Sequence, residues 1–154
     1  MAFNLIIIPL VIILTAWQRR QLVNRVLPGW YATLKKPWWL PRDLVDSLWA
    51  FLYIITLLAI LWFWNVPVFT QWHYVVSAVL LFNAYMNVRW HKTFFVDQNL
   101  ERSYKESIVL FGSAAIAALM IAPYSYITFF LFTPYLVWLG ITAYVSKRIM
   151  ELNK

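Results

Sequence analysis

Leu44-Val-Asp-Ser-Leu-Trp-Ala-Phe-Leu-Tyr-Ile-Ile-Thr-Leu-Leu-Ala-Ile-Leu-Trp-Phe-Trp64 is an apolar run with a single charge, Asp46, near its start. Its length is close to the ~20 residues with which a helix crosses the hydrocarbon core of a bilayer. Further apolar stretches lie at 3–17, 71–90, 107–122 and 128–146; tilt and local thinning accommodate the short ones. Outward from 44–64, the intervening segments alternate in charge. Upstream, 18–43 carries Arg19, Arg20, Arg25, Lys35, Lys36 and Arg42, whereas the loop from Asn65 to Gln71 carries none. The next junction holds Arg89, Lys92, Arg102 and Lys105, the loop from Pro123 to Ile127 is neutral, and the tail holds Lys147, Arg148 and Lys154. The N-terminal segment is uncharged. Five crossings therefore place all 13 Lys and Arg residues on one face, and the Lys/Arg loop bias makes that face cytoplasmic. The expectation is an all-α membrane protein: a single five-transmembrane-helix bundle over 1–154, with its N-terminus outside and its C-terminus in the cytoplasm.

Composition agrees. The chain is 63% hydrophobic and 12% charged, far from the averages of soluble domains, and a soluble fold would have nothing to cover so many apolar helices. The net charge of +7 is explained by topology and by anionic lipid headgroups, so membrane lipids are expected partners and nucleic acid is not. The chain has no cysteine, which excludes disulfides and thiolate chemistry. The first apolar run lacks a basic n-region and a small-residue cleavage site and reads as a retained helix. No internal repeat of the secondary-transporter kind is evident.

The first loop, 18–43, is too long for a simple turn. Pro28-Gly29, Pro37 and Pro41 interrupt it, and Trp30, Tyr31, Trp38 and Trp39 make it aromatic. Such rings gain a few kcal/mol each on burial, so the loop is expected to fold back over the cytoplasmic end as a structured cap; the alternative is an aromatic belt at headgroup depth. Three helices carry inward-looking stripes. The second has Trp49, Tyr53 and Thr56; the third has Asn83, Asn87, Trp90 and Phe94; the fifth has Trp138, Thr142 and Ser146. Asparagine facing lipid is costly, so Asn83 and Asn87 should face the interior, either as interhelical hydrogen-bond donors or as part of a pocket. The fourth helix carries Gly112, Ala115 and Ala118, small residues suited to internal packing or to a homodimer seam. His73 and His91 read as interfacial histidines in contact with water or headgroups rather than as ligands of a haem or chlorophyll metal. The six carboxylates lie toward the cytoplasmic side, and no phosphate loop, nucleophile motif or metal-ligand cluster occurs.

These residues resemble a known family. Trp30-Tyr31-Ala-Thr-Leu34-Lys-Lys36-Pro37-Trp-Trp39-Leu-Pro41, followed by Trp49 and Tyr53, is similar to the W-Y-x-x-L-x-K-P-x-W-x-P and W-x-x-x-Y patterns of the translocator protein / tryptophan-rich sensory protein family. Asn87-Val-Arg-Trp90-His-Lys-Thr-Phe94-Phe95 resembles its N-x-x-W-x-x-x-F-F. Pro134-Tyr135-Leu-Val-Trp138 resembles its P-Y-x-x-W, and the tail ends in the family's Leu-Asn, here Leu152-Asn153. The match runs in order from about residue 30 to 153. There are departures: Arg42 stands where the family usually has a second proline, Ile141, Thr142 and Ser146 replace Phe, Ala and Asn, and the first helix lacks the family's glycines.

The resemblance implies a five-helix bundle with a cytoplasm-facing cavity capped by the first loop. It implies tetrapyrrole ligands such as porphyrin or haem, or sterol-like ligands, with no obligatory cofactor. In bacteria it implies a link to oxygen- or stress-dependent control of tetrapyrrole and photopigment metabolism. A sterol-type pattern, Leu139…Tyr144…Lys147, is present, but its tyrosine does not align with the family's usual one. Stripes and resemblance converge on Trp39, Trp49, Tyr53, Asn87, Trp90, Trp138 and Thr142 as ligand-binding residues, since flat ligands stack on such rings. Three functional readings stand: a membrane-embedded binding and regulatory module, freestanding as a monomer or homodimer; an accessory structural subunit of a larger respiratory or photosynthetic complex; and a porphyrin-degrading enzyme.

Overall fold

The computed structural model describes residues 2–24, 29–40 and 44–154, with side chains at 7–23, 29–40 and 48–154. Arg25, Pro28, Pro41, Arg42 and Asp43, and the side chain of Asp46, lie outside the described residues. Among the described residues are five long helices: α1 (Ala2–Asn24), α3 (Leu44–Phe63), α4 (Thr70–His91), α5 (Leu100–Ile121) and α6 (Tyr126–Leu152), with a single turn α2 (Trp30–Thr33) in the first loop. A π-helical turn, Lys92–Val96, extends α4.

The helix limits differ from the apolar stretches wherever charge is carried on a helix. α1 does not stop at Trp17 but continues to Asn24; the sequence has no Gly or Pro between Pro9 and Pro28 to break it. α5 begins at Leu100 rather than near 107. The Asn99 side chain accepts from the Arg102 N–H at 2.9 Å and caps it, and the pairs Glu101–Lys105 and Arg102–Glu106 line its first turns. α6 begins at Tyr126, where the Ser125 hydroxyl accepts from the Thr128 N–H at 3.2 Å.

The long helices close a ring. α1 packs on α3 and α4, α3 on α6, α6 on α5, and α5 on α4. The turn from the π-helical segment into α5 is tight and passes through Gln98, whose φ of 52° is left-handed. Ala114, Ala117 and Ala118 on α5 and Ala59 on α3 are fully enclosed and let the backbones approach. This decides much of the small-residue stripe: Ala118 points into the bundle, while Gly112 borders an open groove on the outer surface with Phe82 and Ile116.

Polarity is distributed inside out. Asn83, Asn87, Ser113 and Thr142 are buried, whereas Phe51, Ile54 and Leu58 on α3, Leu119 on α5 and Phe130 on α6 are exposed. Water would penalise such a surface over so many turns, and hydrocarbon would penalise the reverse. By length and hydropathy, two helices among the described residues are each long and apolar enough to cross a membrane, Leu100–Ile121 and Tyr126–Leu152, with a shorter apolar helical stretch at Leu48–Phe63. α4 is less apolar because it holds the two interior asparagines and Arg89.

The uncharged end is stapled by aromatic side chains. Trp72 donates its indole N–H to the Met120 carbonyl at 3.2 Å, and His73 bonds the Phe63 carbonyl at 3.0 Å while stacking on Trp64. His73 is 6% exposed. The reading of it as a histidine in contact with water or headgroups is therefore corrected: it sits in the α3–α4 packing.

Candidate functional site

At the charged end, the described part of the first loop lies against the bundle. Trp30 and Tyr31 meet Phe94 edge-on, and Tyr31 also leans on Phe95. Lys36 places its ammonium 4.0 Å from the Tyr31 ring centre. The link to α6 is made by Asn153, whose side-chain oxygen accepts from the Lys35 N–H at 3.0 Å and whose amide donates to the Lys35 carbonyl at 2.9 Å. Of the loop's four rings, Trp30 and Tyr31 pack on the bundle, Trp39 stacks on Tyr144, and Trp38 is 94% exposed. The described part of the loop thus packs through some of its rings and exposes another.

Beneath this segment lies a cavity of about 60 Å³ whose wall includes Arg19, Trp49, Trp90, His91, Trp138 and Thr142. The π-helical turn forms its floor. Three residues in a row, Thr93, Phe94 and Phe95, are buried at this wider turn. Trp49 meets Trp138 and His91 edge-on, and Trp90 stacks on Phe94. Three polar groups on the lining residues are buried without a hydrogen-bond partner: the indole N–H of Trp90, the indole N–H of Trp138 and the hydroxyl of Ser146. Unpaired buried polar groups are rare and costly, and two of these are pure donors.

Next to the cavity, Arg19 is 7% exposed. Its Nε donates to His91 Nε2 at 3.2 Å and its guanidinium lies 5.3 Å from the Trp49 ring centre. His91 Nδ1 is 2.8 Å from the Asn87 carbonyl. A carbonyl only accepts and an arginine only donates, so His91 is neutral with its proton on Nδ1. The reading of His91 as a water-facing histidine is corrected: it is buried, and both ring nitrogens are occupied by protein.

From Asn87 a polar network crosses the ring of helices. Tyr53 donates to Asn87 Oδ1 at 3.0 Å, and Asn87 Nδ2 donates to the Tyr135 hydroxyl at 3.4 Å. Tyr135 donates to Asn83 Oδ1 at 2.7 Å, and Asn83 Nδ2 reaches the Leu110 carbonyl and the Ser113 hydroxyl, both at 2.8 Å. Both asparagines therefore act as interhelical ties, joining α3, α4, α5 and α6. At the surface of the charged end, Glu106 joins α4 to α5 by accepting from Arg89 at 2.8 Å and from Arg102 at 3.0 Å.

The structure brings Trp49, Trp90, Trp138 and Thr142 together around the cavity. Tyr53 and Asn87 lie deeper, in the network rather than on the cavity wall. Trp39 is not among the lining residues; it is 40% exposed and stacks on Tyr144. Arg19, His91 and Ser146 line the cavity without having been singled out as binding residues. For Arg19 the only sequence signal is its spacing of four from Thr15 and Val23; hydropathy alone ends the first helix at Trp17, whereas the structure continues it and buries all three. Ile141, Thr142 and Ser146, where the chain departs from the family pattern, all line this cavity.

A ring of helices with apolar exterior and polar interior, a π-turn floor and a tryptophan-lined cavity under an aromatic loop defines a helical membrane protein of the translocator type. The chain belongs to the TspO/MBR family, whose model matches residues 5–151, nearly its whole length. No curated protein matches it.

Proposed function

We propose that the protein is a binding and regulatory module that crosses the membrane five times, with the charged end and the C-terminus in the cytoplasm, and holds a tetrapyrrole or similarly flat apolar ligand in the tryptophan-lined cavity. One observation carries this reading: three residues that line one aromatic cavity, Trp90, Trp138 and Ser146, each carry a buried polar group without a partner. The two indole N–H groups and the hydroxyl suit ligand oxygens such as propionates, Arg19 adds positive charge, and the rings supply stacking surface.

The chemistry fits the ligand class, but the volume requires movement. About 60 Å³ is far below the ~300 Å³ at which ligand sites begin. A tetrapyrrole therefore needs the segment Trp30–Leu40 to swing away, and ligand binding would be coupled to that opening. The test is quenching of tryptophan fluorescence by protoporphyrin added to the purified full-length protein. Trp49→Ala and Trp138→Ala should each weaken binding roughly tenfold to a hundredfold, from ~1–3 kcal/mol of lost ring contact. Unchanged affinity in both folded variants would place the site elsewhere.

The small volume of the same cavity favours a second reading, an accessory subunit of a larger membrane complex that reuses the fold without a ligand. Gentle purification from native membranes separates the two. Stoichiometric foreign subunits, together with no porphyrin quenching, would support the subunit.

A further inference from the structure

A second, larger cavity lies in the opposite half of the bundle. It measures about 330 Å³ and is bounded by α1, α3 and α4, with Phe132 and Tyr135 of α6 at its back. Its inner end is the polar network: Tyr53, Asn83 and Tyr135 all line it. Its outer end is Trp64 and Tyr74. No lining residue is charged. On the outer surface the α4 residues Leu81 and Tyr74 are half-exposed or more, so the cavity opens sideways between α1 and α4, toward the space that lipid occupies.

Two of the lining residues carry a buried polar group with no partner. The Thr56 hydroxyl is buried and unbonded, as is the indole N–H of Trp64. This is unusual within the chain itself. The hydroxyls of Thr15, Thr133, Ser103 and Ser107 each donate back to a carbonyl three or four residues earlier, the normal solution for a hydroxyl on a membrane helix. Thr56 does not. Thr56 lies on α3 and Trp64 in the turn that follows its last residue, Phe63, so the two residues mark separate levels of the space.

The geometry points to a second binding site here, distinct from the tryptophan cavity, for a neutral, elongated, mostly apolar molecule drawn from the bilayer that carries a hydroxyl or carbonyl oxygen. The volume lies at the lower end of the ligand-site range, ~300–1,000 Å³, which suits a single chain or ring. The absence of charge on the wall excludes a carboxylate or phosphate headgroup, whose burial without a partner is prohibitive. Thr56 can donate or accept and Trp64 can only donate, so the occupant must offer an acceptor oxygen. The site goes beyond the tetrapyrrole reading and does not depend on it.

A photoactivatable dodecanol, added to the full-length protein in phospholipid nanodiscs and located by peptide mass spectrometry, tests the assignment. Labelling should concentrate on the α1 and α3 walls between Ile7 and Thr15 and between Thr56 and Trp64. Ordinary dodecanol should compete it away. Thr56→Val, which keeps the shape and removes the hydroxyl, should weaken competition roughly threefold to tenfold, the effect of one lost hydrogen bond. Ala84→Phe, which fills the cavity from α4, should abolish it. Because Thr56→Val removes only an unpartnered group, it should fold with equal or higher thermal stability, and it decides the question if Ala84→Phe fails to fold. Labelling spread evenly over lipid-facing positions such as Leu119 and Phe130, with no competition and no response to Thr56→Val, would overturn the site and leave bulk acyl chains as its filling. Neither outcome alters porphyrin quenching through Trp49 and Trp138, so failure here is distinguishable from failure of the tetrapyrrole reading.

Discussion

Asn153 is the residue whose removal should most directly loosen the first loop. Its side chain forms two hydrogen bonds with the backbone of Lys35, at 3.0 and 2.9 Å, and a third with the Ile149 carbonyl at 2.8 Å. The last anchors Asn153 to its own helix; the first two span from α6 to the loop. A hydrogen bond contributes a net ~0.5–1.5 kcal/mol, and this pair is exposed, so the lower part of that range applies. Asn153→Ala should therefore cost the closed loop about 1–2 kcal/mol, a roughly fivefold to thirtyfold rise in its open population. Amide hydrogen exchange reads this directly, because the Lys35 N–H is itself the donor and its exchange rate follows the opening equilibrium. Exchange should rise by that factor across Trp30–Leu40 and much less in α4 and α5. Asn153→Asp, which keeps the acceptor and loses both donors, should fall between. If the loop gates the tryptophan cavity, the porphyrin on-rate should rise in parallel. The reasoning is refuted if Lys35 protection is unchanged while the last turn of α6 loosens; contacts of Trp30, Tyr31 and Trp39 would then be holding the loop alone.

Tyr135→Phe removes the hydroxyl that bridges Asn83 and Asn87, and thermal unfolding in detergent should show a loss of about 1–2 kcal/mol; interhelical bonds in membranes average ~0.6 kcal/mol, and the orphaned Asn83 oxygen adds to that. An unchanged midpoint would mean that water replaces the hydroxyl and that the network is not a tie. Reporter fusions at both termini check the orientation: activity of a cytoplasmic reporter only at the C-terminus is expected, and the opposite pattern would invert the topology drawn from the 13 Lys and Arg residues.

The helices and their inward faces were largely legible in the sequence, because hydropathy and helical spacing are local properties. Asn83, Asn87, Trp90 and Phe94 recur on one side of one helix, and the structure buries all four; a polar side chain among apolar neighbours has nowhere else to go. Helix ends were less legible. Charged turns at the end of α1 and the start of α5 read as loop by hydropathy, yet their backbones are helical, since charge does not stop a helix and Gly or Pro does.

Composition and spacing along the chain establish that it is apolar and helical, that its charges gather in alternate segments, and that three helices carry aromatic or polar stripes. Where separate elements meet is a property of the fold. The fold decides that Arg19 turns inward to His91 and Trp49, that Asn153 clasps Lys35, and that the tryptophan cavity is small while a larger space lies among α1, α3 and α4. Each depends on the rotation and register of one helix against another. Packing of whole faces sets those quantities, and no short spacing along a single helix records them.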